Sequence, residues 1–335
     1  MINKREVSSR EVTEAHIEQI ERLNPQINAL CTFHPEAAIE SAKKADEQLS
    51  GGKSVGMLHG LPTAIKDTEP AKGMRYTEGS PIYADRIAKE DSLIVERIRS
   101  AGAVILGKTN VPEFGAGSHT FNPVFGTTRN GYDLNKTVGG SSGGAGAALS
   151  CRMLPLANGS DMGGSLRNPG NFNNVVGFRP SPGRVPKYPK PMGWFPLAVP
   201  GPLARTVEDT AFFMSVIAGQ DDREPISIRE PGSVFSQPLD RDFKGVRIAW
   251  SKDLGELPVD PRVVKALQEK LGVFEELGCI VEEAEPDFRD ADDIFRTIRA
   301  WGFAVSHRKH LQEHRSKVKT TVVQNTEEGL RLTAE

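Results

Sequence analysis

Residues 139–146 read Gly-Gly-Ser-Ser-Gly-Gly-Ala-Gly, and residues 159–170 read Gly-Ser-Asp-Met-Gly-Gly-Ser-Leu-Arg-Asn-Pro-Gly. An ordinary packed layer has no need for so many residues without bulk. Small residues let one backbone approach another, or a ligand, closely, and let N–H groups turn toward one point. This part of the chain is therefore restricted to tight turns and close-packed segments between buried elements, a pattern that reads as an active site. Upstream, Leu61-Pro62-Thr63-Ala64-Ile65-Lys66-Asp67 places a lysine at the end of an apolar run, where a buried amine can serve as a base. Lys66, Ser141 and Ser165 are the candidates.

The surrounding patterns alternate between helix and strand. Ser8-x-x-Glu11 is a capping box ahead of Val12, Ala15, Ile20 and Leu23 at helical spacing, and Pro25 ends that pattern. A second helix is expected over about 36–49. Helix Ser92–Ser100 is closed by Gly102 and followed by the strand-like Ala103-Val104-Ile105-Leu106. Further expected elements are a helix at Gly144–Ser150, a helix at Thr206–Gly219, strand Val246–Trp250, helix Pro261–Leu277 and strand Cys279–Val281. The fold class that follows is α/β, a mixed central β-sheet flanked by helices on both faces. Eight prolines between Pro180 and Pro202 exclude regular helix or central strand there and imply a rigid loop carrying Trp194, Phe195 and Leu197.

With 42 basic and 44 acidic residues, the chain lacks the basic field of a nucleic-acid binder, so a small-molecule substrate is the default partner. Cys31, Cys151 and Cys279 are scattered, which suggests neither a disulfide framework nor a zinc site. The polar N-terminus and the lack of an apolar run of about 18 residues point to a cytoplasmic protein that engages no membrane.

Gly102-Ala-Val-Ile-Leu-Gly107-Lys108-Thr109 fits the P-loop pattern letter for letter, but its context does not. The intervening residues are apolar and strand-like, and Pro112 interrupts the helix that a phosphate cradle requires. None of the seven histidines has a metal-ligand context. His310 and His314, four apart on an expected helix, read as a solvated face. Trp194 and Phe195 either line an acyl pocket or pack the proline loop.

Covalent amide hydrolysis needs a nucleophile, a base, and donors aimed at the oxyanion. In Asp161-Met162-Gly163-Gly164-Ser165 the two glycines before the serine suit an oxyanion turn. Asp161 can brace it through backbone N–H groups, and Arg167 can anchor the following helix through its planar fork. An ordinary lysine titrates near 10.4, so Lys66 works as a base near neutrality only if burial lowers that value. Serine neighbours such as Ser141 solvate the amine without the negative charge that would hold it protonated. Ser141 can then relay the Ser165 proton to Lys66 and return it to the leaving nitrogen.

The order of these segments resembles the amidase signature family: an upstream lysine, a Gly/Ser-rich segment and a Gly-Ser-Asp-x-Gly-Gly-Ser-x-Arg-x-Pro segment, with Gly107-Lys108-Thr109-Asn110 and Gly177-Phe178-Arg179-Pro180 beside them. Lys66 and Ser141 are 75 residues apart, and Ser141 and Ser165 are 24 apart. The resemblance implies a Ser–cisSer–Lys triad on a mixed sheet between helices. Ser165 is then the nucleophile, Ser141 the relay in a cis peptide and Lys66 the base. Met162, Gly163 and Gly164, with Ser165 itself, correspond to the family's oxyanion-hole backbone, and Ser142 to a further serine beside the triad. No metal or organic cofactor is implied.

The resemblance also implies a single amidase-type domain over 1–335, with a catalytic core at about 55–210. Members usually continue further, so a C-terminally shortened chain with uncovered apolar surface is expected, and self-association is compatible with it. The expected activity is hydrolysis of a carboxamide by a stand-alone amidase. The alternatives are the glutaminase component of glutamyl-tRNA amidotransferase (its A subunit), which the stretch Arg184–Pro196 does not resemble, and a catalytically inactive fragment.

Overall fold

The structure is a computed structural model and describes residues 1–255 and 257–333. It divides into two compact units, one formed by Met1–Gln237 with the stretch from Ala300 onward, the other by Pro238–Arg299.

In the first unit, β1 (Leu30–Phe33), β2 (Pro62–Lys66) and β3 (Val104–Thr109) form a sheet of order β1-β3-β2, with β1 antiparallel and β2 parallel to β3. A short hairpin pairs β4 (Phe121–Asn122) with β5 (Gly126–Thr127). The strands β6 (Leu156–Asp161), β7 (Val176–Gly177) and β8 (Val199–Ala204) form an antiparallel sheet of order β6-β8-β7. Side chains join the two sheets where β2 meets β6: Thr63 Oγ1 donates to the Leu156 carbonyl at 3.0 Å, and Asn158 Oδ1 accepts from the Lys66 N–H at 3.0 Å.

Strand alternation explains why helices cover both faces. Ala64, Val104, Leu106, Ala157 and Leu203 belong to one apolar cluster, with Ile17 and Ile20 of α1 (Ser9–Ile27), Ala38 and Ala42 of α2 (Pro35–Ser50), and Ala145 and Leu149 of α4 (Gly143–Ser150). Their neighbours Ile65, Ile105, Leu156 and Ala204 face the opposite cluster, with Ile94 and Ile98 of α3 (Leu93–Ser100) and Phe213 and Ile217 of α6 (Val207–Ile217). Successive strand residues point to opposite faces. Each buried aliphatic side chain contributes about 1.5–3 kcal/mol, so a sheet apolar on both faces must acquire two helical layers. The chain is thus an α/β protein with a mixed sheet.

Three local expectations are corrected. Pro25 does not end α1, which continues to Ile27 and stops at Asn28 in the left-handed region. The bond that Pro25 cannot make is to the carbonyl of Glu21, a residue exposed to water, so the loss is small there. Pro200 and Pro202 lie in β8, the middle strand of its sheet. The Pro202 carbonyl accepts from Phe178 N, so the missing proline N–H groups face β7, which spans only two residues, and β8 keeps its donors for β6. Finally, the helix expected over 261–277 is two, α7 (Pro261–Gln268) and α8 (Leu271–Glu276), divided where Lys270 N bonds the Leu267 carbonyl in a tight turn just before Gly272.

The second unit places α7 and α8 between the parallel strands β9 (Arg247–Trp250) and β10 (Ile280–Glu283). Its apolar side chains are open: Leu267, Val273, Leu277 and Ile280 are each about half exposed. Helix α9 (Ala291–His314) begins in this unit and ends in the first, which also holds α10 (Thr320–Leu330). Among the described residues no helix is long and apolar enough to cross a membrane.

Candidate active site

Lys66 ends β2, every residue of which is buried. Its side chain shares a face with Ala64 and so points toward α4. The loop before α4 carries Ser141 and Ser142, and the Gly140–Ser141 peptide is cis. The helix can lie this deep because its first turn holds glycines at 143, 144 and 146 and only a methyl group at Ala145: a Cβ on Gly144 would meet the Asn110 nitrogen at 2.3 Å and the Ala29 carbonyl at 2.6 Å. From the neighbouring strand β6 comes Ser160.

These elements converge on one amine. Lys66 Nζ lies 2.8 Å from Ser141 Oγ, 2.9 Å from Ser142 Oγ and 3.0 Å from Ser160 Oγ. The lysine is wholly buried and Ser141 nearly so. Burial lowers the Lys66 pKa from its ordinary 10.5 to about 7. Glu69 and Asp161 act against that shift and Lys187 with it. Hydroxyls solvate the amine but add no formal charge, so desolvation dominates.

The turn after β6 is organised by Asp161, which is buried. Its carboxylate accepts from the N–H groups of Gly164 at 2.9 Å and Leu166 at 3.1 Å, and from the Arg167 fork at 3.0 and 3.1 Å. Arg179 Nη1 adds a bond to the same carboxylate at 3.1 Å and another to the Asp161 carbonyl. Burial alone would raise this carboxyl's pKa, but the bonds from Arg167, Gly164 and Leu166 hold it down at about 2. The Asp161 charge is therefore committed to the turn. Gly164, at φ +117°, occupies a conformation that a side chain would strain.

Ser165 follows, half-buried beside the exposed Gly163, and its carbonyl accepts from Ser142 N at 3.3 Å. The structure thus brings Lys66, Ser141 and Ser142 into direct contact and ties the Ser165 backbone to the same loop. Asp161 and Arg167 form the brace of the adjoining turn, from which α5 (Arg167–Phe172) starts. Met162 is half-buried and packs on a cluster that includes Phe303 and Val322. The Gly164 N–H is already bonded to Asp161.

Sequence reasoning assigned no role to Ser160 or Arg179. Ser160 sits two residues after Asn158 on β6, on the Leu156 face that alternation turns away from Ala157, so alternation gives no signal for its contact with Lys66. Arg179 lies in the Gly177–Pro180 motif but meets Asp161 only through the folding of β7 against β8. His310 also departs from expectation. Its ring stacks on Phe114 at 5.1 Å, and its Nε2 lies 2.5 Å from Tyr83 Oη, so it is not on a solvated face. Phe195 packs against Gly302 and Trp301, while Trp194 remains 73% exposed.

Comparison with known proteins places this geometry in a family. Residues 11–332 match the family model described as Amidase. The chain is 36% identical over 329 residues to an acylamidase of Rhodococcus erythropolis, covering 98% of this chain and 69% of the relative. It is 38% identical over 290 residues to the A component of the glutamyl-tRNA(Gln) amidotransferase of Clostridium botulinum, covering 87% of this chain and 60% of that relative. Among solved structures, a bacterial aryl acylamidase of the amidase signature enzymes superposes with a TM-score of 0.92 at 30% identity, covering 99% of this chain and 71% of that one. A 6-aminohexanoate cyclic dimer hydrolase superposes with a TM-score of 0.86 at 27% identity, covering 99% and 70%. The chain belongs to the Amidase family, the amide-hydrolysing enzymes of the amidase signature.

Proposed function

We propose that this chain hydrolyses a carboxamide through an acyl-enzyme on Ser165. The observation that carries the reading is a wholly buried lysine amine surrounded by three serine hydroxyls, with a pKa of about 7. A neutral amine accepts a proton, and it can do so near pH 7 only where its ammonium form is poorly solvated. Lys66 takes the Ser165 proton through Ser141 as Ser165 Oγ bonds to the carbonyl carbon. The oxyanion is received by the N–H groups of Met162, Gly163 and Ser165. Collapse breaks the C–N bond, the relayed proton leaves with the amine, and water then attacks the ester to release the carboxylate and restore Ser165. Ser142 and Ser160 hold Lys66 in line, while Asp161, Arg167 and Arg179 hold the turn. Esters should also be cleaved, since an alkoxide needs less help from a proton.

The partner under this reading is a small-molecule amide in the cytoplasm. The acylamidase alignment runs over nearly the whole chain, further than the amidotransferase alignment does, which supports a stand-alone amidase over the glutaminase component of a larger complex. The test is a fluorophosphonate probe with intact-mass and peptide analysis. Lys66-dependent labelling of Ser165 is expected. No labelling of the folded wild-type chain would refute the reading, and glutaminase activity only with added partner proteins would favour the amidotransferase assignment.

A further inference from the structure

The loop 112–121 runs along the segment that carries Ser141. Thr120 Oγ1 donates to the Gly139 carbonyl at 2.9 Å and accepts from Gly143 N at 3.2 Å. A Cβ on Gly140 would sit 2.9 Å from His119 N, and one on Gly115 would sit 3.6 Å from Ser141 Oγ. The two backbones are therefore packed without intervening side chains, and a displacement of one displaces the other.

The 112–121 loop is itself held from the far end of the sequence. Glu113 is 3% exposed. One carboxylate oxygen accepts from Ser80 Oγ at 2.7 Å and the other from the backbone N–H of Lys319 at 2.9 Å, just before α10. Lys319 answers with its side chain: Nζ donates to the Ala116 carbonyl at 3.0 Å and lies 5.2 Å from the centre of the Phe121 ring. Between these anchors Phe114 adopts φ +54°, a strained conformation for a residue with a side chain, and its ring is gripped by His307 and His310. Val318 and Val322 join Ala116 in the apolar cluster against which Met162 packs, so the same brace touches the turn before Ser165.

We propose that Glu113 and Lys319 are positioning residues for the reaction: by clasping the start of α10 to the 112–121 loop they hold Ser141 in line between Lys66 and Ser165. The inference rests on the reading of Ser141 as the relay. Neither residue touches substrate or the reacting atoms. Their effect is on the alignment of a hydroxyl that must meet two partners at once, and misplacements of about 1 Å at such a site cost up to roughly a hundredfold in rate.

The test uses the full chain as wild type, Lys319→Met, Lys319→Arg, Glu113→Gln and Lys66→Ala. Methionine keeps the stem over Phe121 and removes only the donor, and thermal melting checks that each variant is folded. The readouts are the rate of Ser165 labelling by a fluorophosphonate and kcat and KM on p-nitrophenyl butyrate. The expected result is a loss of about tenfold or more in kcat for Lys319→Met with KM nearly unchanged, recovered largely in Lys319→Arg. The Glu113→Gln loss should not add fully to it in a Glu113→Gln/Lys319→Met double variant, since the two bonds tie the same loop to the start of α10. A folded Lys319→Met with wild-type kcat, or a loss that merely follows the folded fraction, would overturn the clasp. Wild-type labelling that does not need Lys66 would overturn the underlying reading and the clasp with it, and the Lys66→Ala control separates that case from failure of the clasp alone.

Discussion

Two lysines lie completely buried on adjacent strands, and their surroundings are opposite. Lys66 on β2 meets three serine hydroxyls. Lys108 on β3 meets the carboxylate of Asp67 at 3.6 Å, both side chains being wholly buried, and donates to the Glu69 carbonyl. Burial lowers the pKa of Lys108 as well and raises that of Asp67, but here each charge has its counter-charge as partial compensation. A bulge separates the two sites. Thr63 pairs with Ile105 and Ile65 with Lys108, so β3 has one residue more than β2 between these pairs. That extra residue turns Lys108 onto the Ile65 and Asp67 side of the sheet, while Lys66 keeps the Ala64 side. Gly107 permits it, because a Cβ there would lie 2.0 Å from the Thr32 carbonyl. A buried amine is thus available as a base where the fold withholds a carboxylate, and is structural where the fold supplies one.

The comparison is broken most severely at Lys66. Lys66→Ala should lower amide hydrolysis by roughly a thousandfold or more while the protein stays folded, as measured by product formation on an amide panel. Lys108→Met acts on stability instead. It leaves Asp67 buried and unpaired, at a cost of about 3–5 kcal/mol in urea unfolding, and adding Asp67→Leu should restore most of that loss. Equal activity losses in Lys66→Ala and in a folded Lys108→Met/Asp67→Leu protein would erase the distinction.

The pH dependence sharpens it. With Lys66 titrating at about 7 in the folded protein and 10.5 ordinarily, the unfolded chain holds more protons between those values. Stability from this group therefore rises with pH from about 7 to 10.5, and the burial penalty is fully present below about 7. Lys66→Met should flatten that slope and raise Tm at pH 6, measured by melting across pH. In the same window kcat/KM should climb through a limb centred near 7, as the amine loses its proton. The smallest effect is expected for Ser160→Ala, which removes one of the three hydroxyls. A loss of about 1 kcal/mol in transition-state stabilisation, read from kcat/KM, matches one hydrogen bond.

Much of this site was legible along the chain. The capping box at Ser8 and Glu11, the helix entered through Ser92 and the α4 segment follow from local chemistry, and they stand where the pattern places them. The prolines of β8 misled, because proline is tolerated in a central strand when its missing donor faces a neighbour that has already ended. His310 misled because its partners, Tyr83 and Phe114, lie about two hundred residues away in sequence. Gly164 was read as oxyanion-hole backbone, but the destination of its N–H was decided by the Asp161 carboxylate.

By itself the sequence determined which residues were small, which runs were apolar, and that a lysine and two serine-bearing segments stood in the order and spacing through which the chain resembles the amidase signature family. Lys66 and Lys108 both follow apolar strand residues and are locally alike, since each needs only its neighbours to be buried. Which of them would be left without a counter-charge depends on strand register, and register is set by pairings between residues far apart in the chain. Only the tertiary structure, through the bulge beside Gly107, decided it.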